Sequence, residues 1–236
     1  MTNGASATTN WIARAGVGGA LPPAASVLAV TARPGQESAD LGGTLLAFRR
    51  AGAQLSLLCL TRGETSGSGC GSVRLEAARP WEVQMAASIL GIREVAVANY
   101  RDGELPRHCG PDLTARIGRA VRASAPDLLL VIAPEAGDSG DVAVARAAIA
   151  AGVRGDIPVL ARTEPGTAGA WTVGLGENAE LTRAIQHSAV AAHESQPDLL
   201  PAVISRLDLL EDSETLRWLL LPGCTPAQRG RHLVSV

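Results

Sequence analysis

Between Val27 and Gly43 the chain changes character twice, and that change narrows the folds open to it. Val27-Leu28-Ala29-Val30-Thr31 is a short apolar run rich in β-branched residues, the pattern of a buried strand. Pro34-Gly35 then marks a tight turn. Ser38 or Asp40 is placed to cap a helix running through Thr44-Leu45-Leu46-Ala47-Phe48. Strand, tight loop and helix start open an α/β unit, and open α/β sheets take their ligands outside the carboxyl ends of the strands. Arg33 to Glu37 are therefore expected beside whatever this protein binds.

The pattern repeats along the chain. Strands are predicted at Gln54 to Thr61, Glu94 to Ala98, Asp127 to Ala133, Ile157 to Thr163, Ala170 to Leu175 and Leu216 to Leu221. Helices are predicted within Val73 to Leu90, over Pro111 to Ser124 with Leu113, Ile117 and Val121 on one face, up to Gly152, and from Glu177 to His193. Pro80 either begins the regular part of its helix or kinks it. This alternation argues for an α/β fold with a doubly wound, mostly parallel sheet and extra strands in the C-terminal third. Residues 1–25, rich in Gly, Ala, Thr and Pro, read as a loose arm with Trp11 as an anchor; residues 26–236 read as one domain.

A chain of 236 residues can bury a substantial core without a second domain. The formal net charge is −2, every basic residue is Arg, and basic residues do not cluster with aromatics. Nucleic acid and an anionic membrane are thus not expected partners. No apolar run approaches the ~20 residues of a membrane span, and no secretory pattern is evident, so the reading is cytoplasmic. Cys59 lies in an apolar strand as a small core residue. Cys70 and Cys109 fall in loops, where a reactive thiol is one reading.

The opening stretch resembles the first signature of the LmbE-like (PIG-L) N-acetylglucosaminyl deacetylases: a strand, Ala/Pro-His-Pro-Asp-Asp-Glu, then a Leu-Gly-x-Gly-Gly-like helix start. Further likenesses are Thr61 to Glu64, Arg79 with Glu82, Asp102-Gly103-Glu104-Leu105, and His193-Glu194-Ser195-Gln196. They extend over roughly residues 20–222. The resemblance implies a Rossmann-like sheet of the LmbE type. It also implies a zinc site made by the motif's His, its second Asp, and the final His of a His-Pro-Asp-His-like motif, with the first Asp as general base.

At those positions this chain carries Arg33, Gln36, Asp141 and Gly35; only Pro34 and Glu37 match the motif's core. Arginine is a permanent cation that cannot coordinate a metal, and hydrolytic zinc needs about three protein ligands and an open position. No metal or other cofactor is expected.

Arg33 is expected either to pair with Asp141 as a plug or to clamp an anionic group. Arg33, Gln36, Glu64, Asp102 and Asp141 are the candidate ligand-binding residues. Glu37, Asp138 and His193 are the candidates for proton transfer; as structural alternatives, Glu37 caps or salt-links the first helix, His193 packs and caps, Asp102 fixes its own turn, and Arg79 and Glu82 support loops. Three functions follow. One is a zinc-free binder of an anionic or sugar-like small molecule, or of a partner enzyme. Another is a repurposed, metal-independent enzyme acting on a sugar-like or acylated small molecule in specialised metabolism. The third is a rearranged metal site built from Asp138, Asp141 and Glu37.

Overall fold

Along β1 (Ser26–Thr31) every residue after the first is buried, and side chains alternate between two apolar cores. Leu28 and Val30 face one, Val27 and Ala29 the other. A strand covered on both faces belongs at the centre of a layered sheet. The computed structural model describes residues 19–63, 73–108, 110–196, 201, 203 and 212–221. In it β1 is joined by β2 (Gln54–Thr61), β3 (Glu94–Tyr100), β4 (Leu128–Ile132), β5 (Val159–Arg162), β6 (Trp171–Gly174) and β7 (Ser213–Leu220). The order is β3-β2-β1-β4-β5-β7-β6. The first five strands are parallel; β7 runs antiparallel to both β5 and β6.

Six α-helices are seen among the described residues: α1 (Gln36–Ala39), α2 (Gly42–Arg50), α3 (Val73–Leu90), α4 (Pro111–Ser124), α5 (Ser139–Gly155) and α6 (Ala179–Ala191). Leu113 and Ile117 of α4 and the alanines of α5 fill the core on one face of the sheet. Leu45 and Phe48 of α2, Val83 and Leu90 of α3, and Ala189 of α6 fill the other. None of the described helices is long and apolar enough to cross a membrane.

The predicted elements all appear, with ends shifted by a few residues, and α3 runs continuously through Pro80. One local expectation fails. Neither Ser38 nor Asp40 caps a helix; the N-cap residues are Gly35 and Leu41, without side-chain caps. The chain turns helical at Gln36, before Ser38, whose hydroxyl instead donates to Glu37.

The strand order places the switch point between β1 and β4, since the chain winds outward through β2 and β3 on one side and through β5 on the other. Ligands of doubly wound sheets bind at that crevice. The loop from β1 into α1 and the loop from β4 into α5 meet there.

Candidate functional site

Gly35 begins α1 at φ 95°, a left-handed conformation that glycine adopts freely and other residues adopt at a cost. The turn lets Gln36 fold back over its own loop. Its Oε1 accepts hydrogen bonds from the backbone N–H groups of Ala32 and Arg33, each at 3.0 Å. Its Nε2 donates to Asp141 Oδ1 at 2.9 Å. Asp141 Oδ2 in turn accepts from the Asp138 N–H at 3.0 Å. The Asp138 side chain accepts from the N–H groups of Gly140 and Asp141, completing a reciprocal capping box at the start of α5.

Arg33 is ion-paired with Asp138, not with Asp141 as expected. The reason lies in the helix cap. Asp141 is turned back toward its own N-cap and shared with Gln36, whereas Asp138 keeps its second oxygen for the guanidinium. The expected single plug is therefore two pairs at different depths. Arg33 and Asp138 sit at the surface, with side chains 31% and 46% exposed. Gln36 and Asp141 lie beneath them, at 7% and 3%.

Glu37 and His193 are deeper still and wholly buried as side chains. His193 Nε2 lies 2.7 Å from Glu37 Oε1. The same oxygen accepts from Ser38 Oγ at 3.0 Å, and Oε2 accepts from the Gly35 N–H. This contact ties the β1 loop to the residues following α6. Those residues are fixed again by α3: Glu82 accepts from the Ser195 N–H at 2.8 Å and from its hydroxyl at 2.7 Å. Arg79 Nε donates to Ser195 Oγ at 3.4 Å. Gly63, at φ 69°, packs so closely that a Cβ would lie 3.0 Å from Arg79 Nη1 and from Pro34 Cδ.

Electrostatics separate the two aspartates. Burial works against charge on both Arg33 and Asp138, but their mutual hydrogen bond and attraction win, holding Arg33 above its usual range and Asp138 below its own. Asp141 and Asp102 add to the stabilisation of the Arg33 cation. Asp141 goes the other way: burial pushes its carboxyl up to about 6, against the hydrogen bonds from Asp138 and Gln36 that favour the anion.

The structure thus brings Arg33, Gln36, Asp138 and Asp141 into one hydrogen-bonded set, with Asp102 in electrostatic reach. Glu37 and His193 form the buried pair below. Glu64, Cys70, Cys109 and Trp11 lie outside the described residues. Glu135 is held by Arg217, at 3.0 Å, and by Thr163, at 3.1 Å. Cys59 is buried, and burial pushes its thiol up. Among the described residues no group of three His, Cys, Asp or Glu side chains is disposed to hold a metal ion, so Asp138, Asp141 and Glu37 do not assemble the rearranged centre considered from sequence. Sequence reasoning missed the capping box, whereas its reading of Arg79 and Glu82 as loop supports agrees with their hold on Ser195. An Asp at the N-cap with a carboxylate three residues later was the available signal for the box.

A central parallel sheet with polar loops gathered at the β1/β4 crevice defines a doubly wound α/β protein. Residues 28–152 match the family model described as PIG-L: GlcNAc-PI de-N-acetylase, and the chain belongs to that family. Over 114 residues it is 32% identical to a probable N-acetyl-alpha-D-glucosaminyl L-malate deacetylase 2 of Bacillus anthracis. That match covers 46% of this chain and 50% of the relative, so it spans about half the relative's length. The fold is similar to the N,N'-diacetylchitobiose deacetylase from Pyrococcus horikoshii, with TM-score 0.68 and 18% identity over 92% of this chain and 93% of that one. It is also similar to the 4-carboxy-2-hydroxymuconate hydratase from Pseudomonas putida KT2440, with TM-score 0.62 and 18% identity over 85% and 98% of the two chains. At such identities the likeness is one of fold.

Proposed function

We propose that this family member does not perform zinc-dependent deacetylation and that its β1/β4 crevice binds a small, hydroxyl-rich molecule. One observation carries the reading: the Gln36–Asp141 pair. The oxygen of Gln36 is taken by two backbone N–H groups, and both oxygens of Asp141 already accept hydrogen bonds. The Gln36 oxygen is fully used, each Asp141 oxygen is already engaged once, and Arg33 brings a fixed positive charge to the same place. The residues present do not fit a metal ion.

The charges also argue for the type of ligand. Arg33 is surrounded by Asp138, Asp141 and Asp102, so the crevice as a whole does not favour an anion. Neutral hydroxyls, or a sugar bearing a free amine, suit half-exposed Arg33 and Asp138, which offer donors and acceptors side by side. The deacetylase relatives make a sugar-like ligand the natural class. A partner enzyme remains the other kind of occupant for the same loops.

A second reading, a metal-independent enzyme, is favoured by Asp141. A buried carboxyl that exchanges its proton near pH 6 beside an arginine is a group suited to general acid/base work. That a hydratase shares the fold is consistent with such a change of chemistry.

Elemental analysis of the purified protein, before and after incubation with zinc, manganese and calcium, tests the first claim. No stoichiometric metal is expected, and a stoichiometric metal overturns it. Calorimetric titration with glucosamine and with N-acetylglucosamine, followed by mass spectrometry of the recovered sugar, tests the second. Saturable binding with the sugar unchanged supports a binder. Turnover that falls about tenfold or more in Asp141→Asn supports the enzyme.

A further inference from the structure

The helix that begins at the crevice ends at a second feature. Between the last turns of α4 and α5 lies a groove of about 420 Å³ with Gly118, Ala151 and Gly155 in its wall. That size falls within the range of small-molecule sites. Three guanidiniums line it: Arg119 and Arg122 from α4 and Arg154 from α5. Arg122 lies three residues from Arg119 and four from Gly118, so it neighbours both on the helix surface. All three arginines are exposed, and among the described residues none of them forms an ion pair or hydrogen bond.

Helix stability accounts for part of this charge. Arg122 and Arg154 sit in last turns, where each helix presents roughly half a negative charge. Asp156, at the C-cap of α5, adds one more. Even so, three cations leave the groove with a surplus of about one positive charge, in a chain whose net charge is −2. Guanidinium forks match the oxygens of a phosphate, and arginine is the side chain of choice for that recognition.

We propose that the α4–α5 groove, where Arg119, Arg122 and Arg154 converge over Gly118, binds a small phosphate-bearing anion. The span from Ala115 to Arg122 is about 10 Å at the rise of an α-helix, the length of one small molecule and far short of a nucleic-acid surface. The site is separate from the crevice. Asp141 and Arg154 stand about 20 Å apart along α5 at the same rise.

The test is thermal unfolding of the full chain against sodium pyrophosphate, with ionic strength held constant by sodium chloride. A saturable rise in Tm is expected. Gly118→Leu retains every arginine and fills the groove; a Cβ at Gly118 meets only Arg122 Nη1, at an ordinary 3.6 Å, so the fold should accept it. This variant should lose the pyrophosphate response while keeping its own Tm without anion. Arg119→Ala with Arg122→Ala, both at exposed positions, should raise the midpoint at least tenfold and serves if Gly118→Leu is unstable. ADP distinguishes sources: a tighter midpoint than pyrophosphate assigns an organic phosphate, an equal one inorganic phosphate. The proposal is overturned if sodium chloride alone reproduces the response, or if the response survives both groove variants. Loss of the response only in Arg33→Ala overturns it too, since that would move the anion to the β1 loop.

Discussion

Replacing Gln36 by Leu keeps a similar volume and deletes three hydrogen bonds from a nearly solvent-free position. The Ala32 N–H is buried and would lose its acceptor, at a cost of about 2 kcal/mol; the Arg33 N–H is only part-buried and would lose about 1. Asp141 would lose a hydrogen bond to a charged acceptor, about 1.5–3 kcal/mol. After roughly 1 kcal/mol is returned by the added apolar surface, the net loss is about 3.5–5 kcal/mol. That is a large share of the 5–15 kcal/mol typical of a whole domain. Urea unfolding followed by circular dichroism at pH 7.5 would read it. Exchanging the partners provides a sharper comparison. In Gln36→Glu with Asp141→Asn, the carboxylate accepts from both backbone groups and from the Asn amide, whose oxygen still serves the Asp138 N–H. Each single change sets two like groups against each other, so the double variant should exceed the sum of the singles by about 1.5–3 kcal/mol. A Gln36→Leu variant within about 0.5 kcal/mol of the parent, or strict additivity in the exchange, would refute the reasoning.

Other outcomes follow from the same geometry. Because burial raises Asp141 in the folded state to about 6, its contribution to stability is full below about pH 4 and is lost as pH rises through 6. The loss should be about 2–3 kcal/mol; a urea midpoint series on the parent and Asp141→Asn should show the downward slope only in the parent. Arg33→Ala should cost less than about 1 kcal/mol, since its pair with Asp138 is half in solvent, and the melting temperature should barely move. His193→Ala leaves the buried Glu37 with only the Ser38 hydroxyl and the Gly35 N–H and should cost about 3 kcal/mol. His193→Gln, which restores a donor, should recover part of that loss in the same melts.

Much of the fold was legible because burial imposes period on the sequence. The runs at Val27, Gln54 and Leu128 are apolar on both faces, as central parallel strands require, and Leu113 with Ile117 marks a helix stripe. The strand–turn–helix at Pro34-Gly35 was legible too, and with it the candidate site's first loop. The site's pairing was not. Arg33 stands near both Asp138 and Asp141, and only the backbone geometry of the helix start decides which carboxylate is free. Ser38 illustrates the same limit: its composition suggests a cap, but Glu37 beside it is the nearer acceptor for its hydroxyl. In the Ser195 anchor both partners stand out in the sequence, but they lie 113 positions apart and nothing local shows that they meet.

The interlocked carboxylate and amide also bear on how such a protein can change over generations. Gln36 and Asp141 each satisfy the other, so a single exchange of Gln36 for Asp would set two carboxylates against one another, while the nearby Arg33 is already paired with Asp138. Replacing Asp141 alone would strand the Gln36 amide and loosen the first turn of α5. Any mutational route from these loops to a three-ligand cation centre therefore descends through less stable intermediates. The pairing is easy to keep and hard to leave one codon at a time.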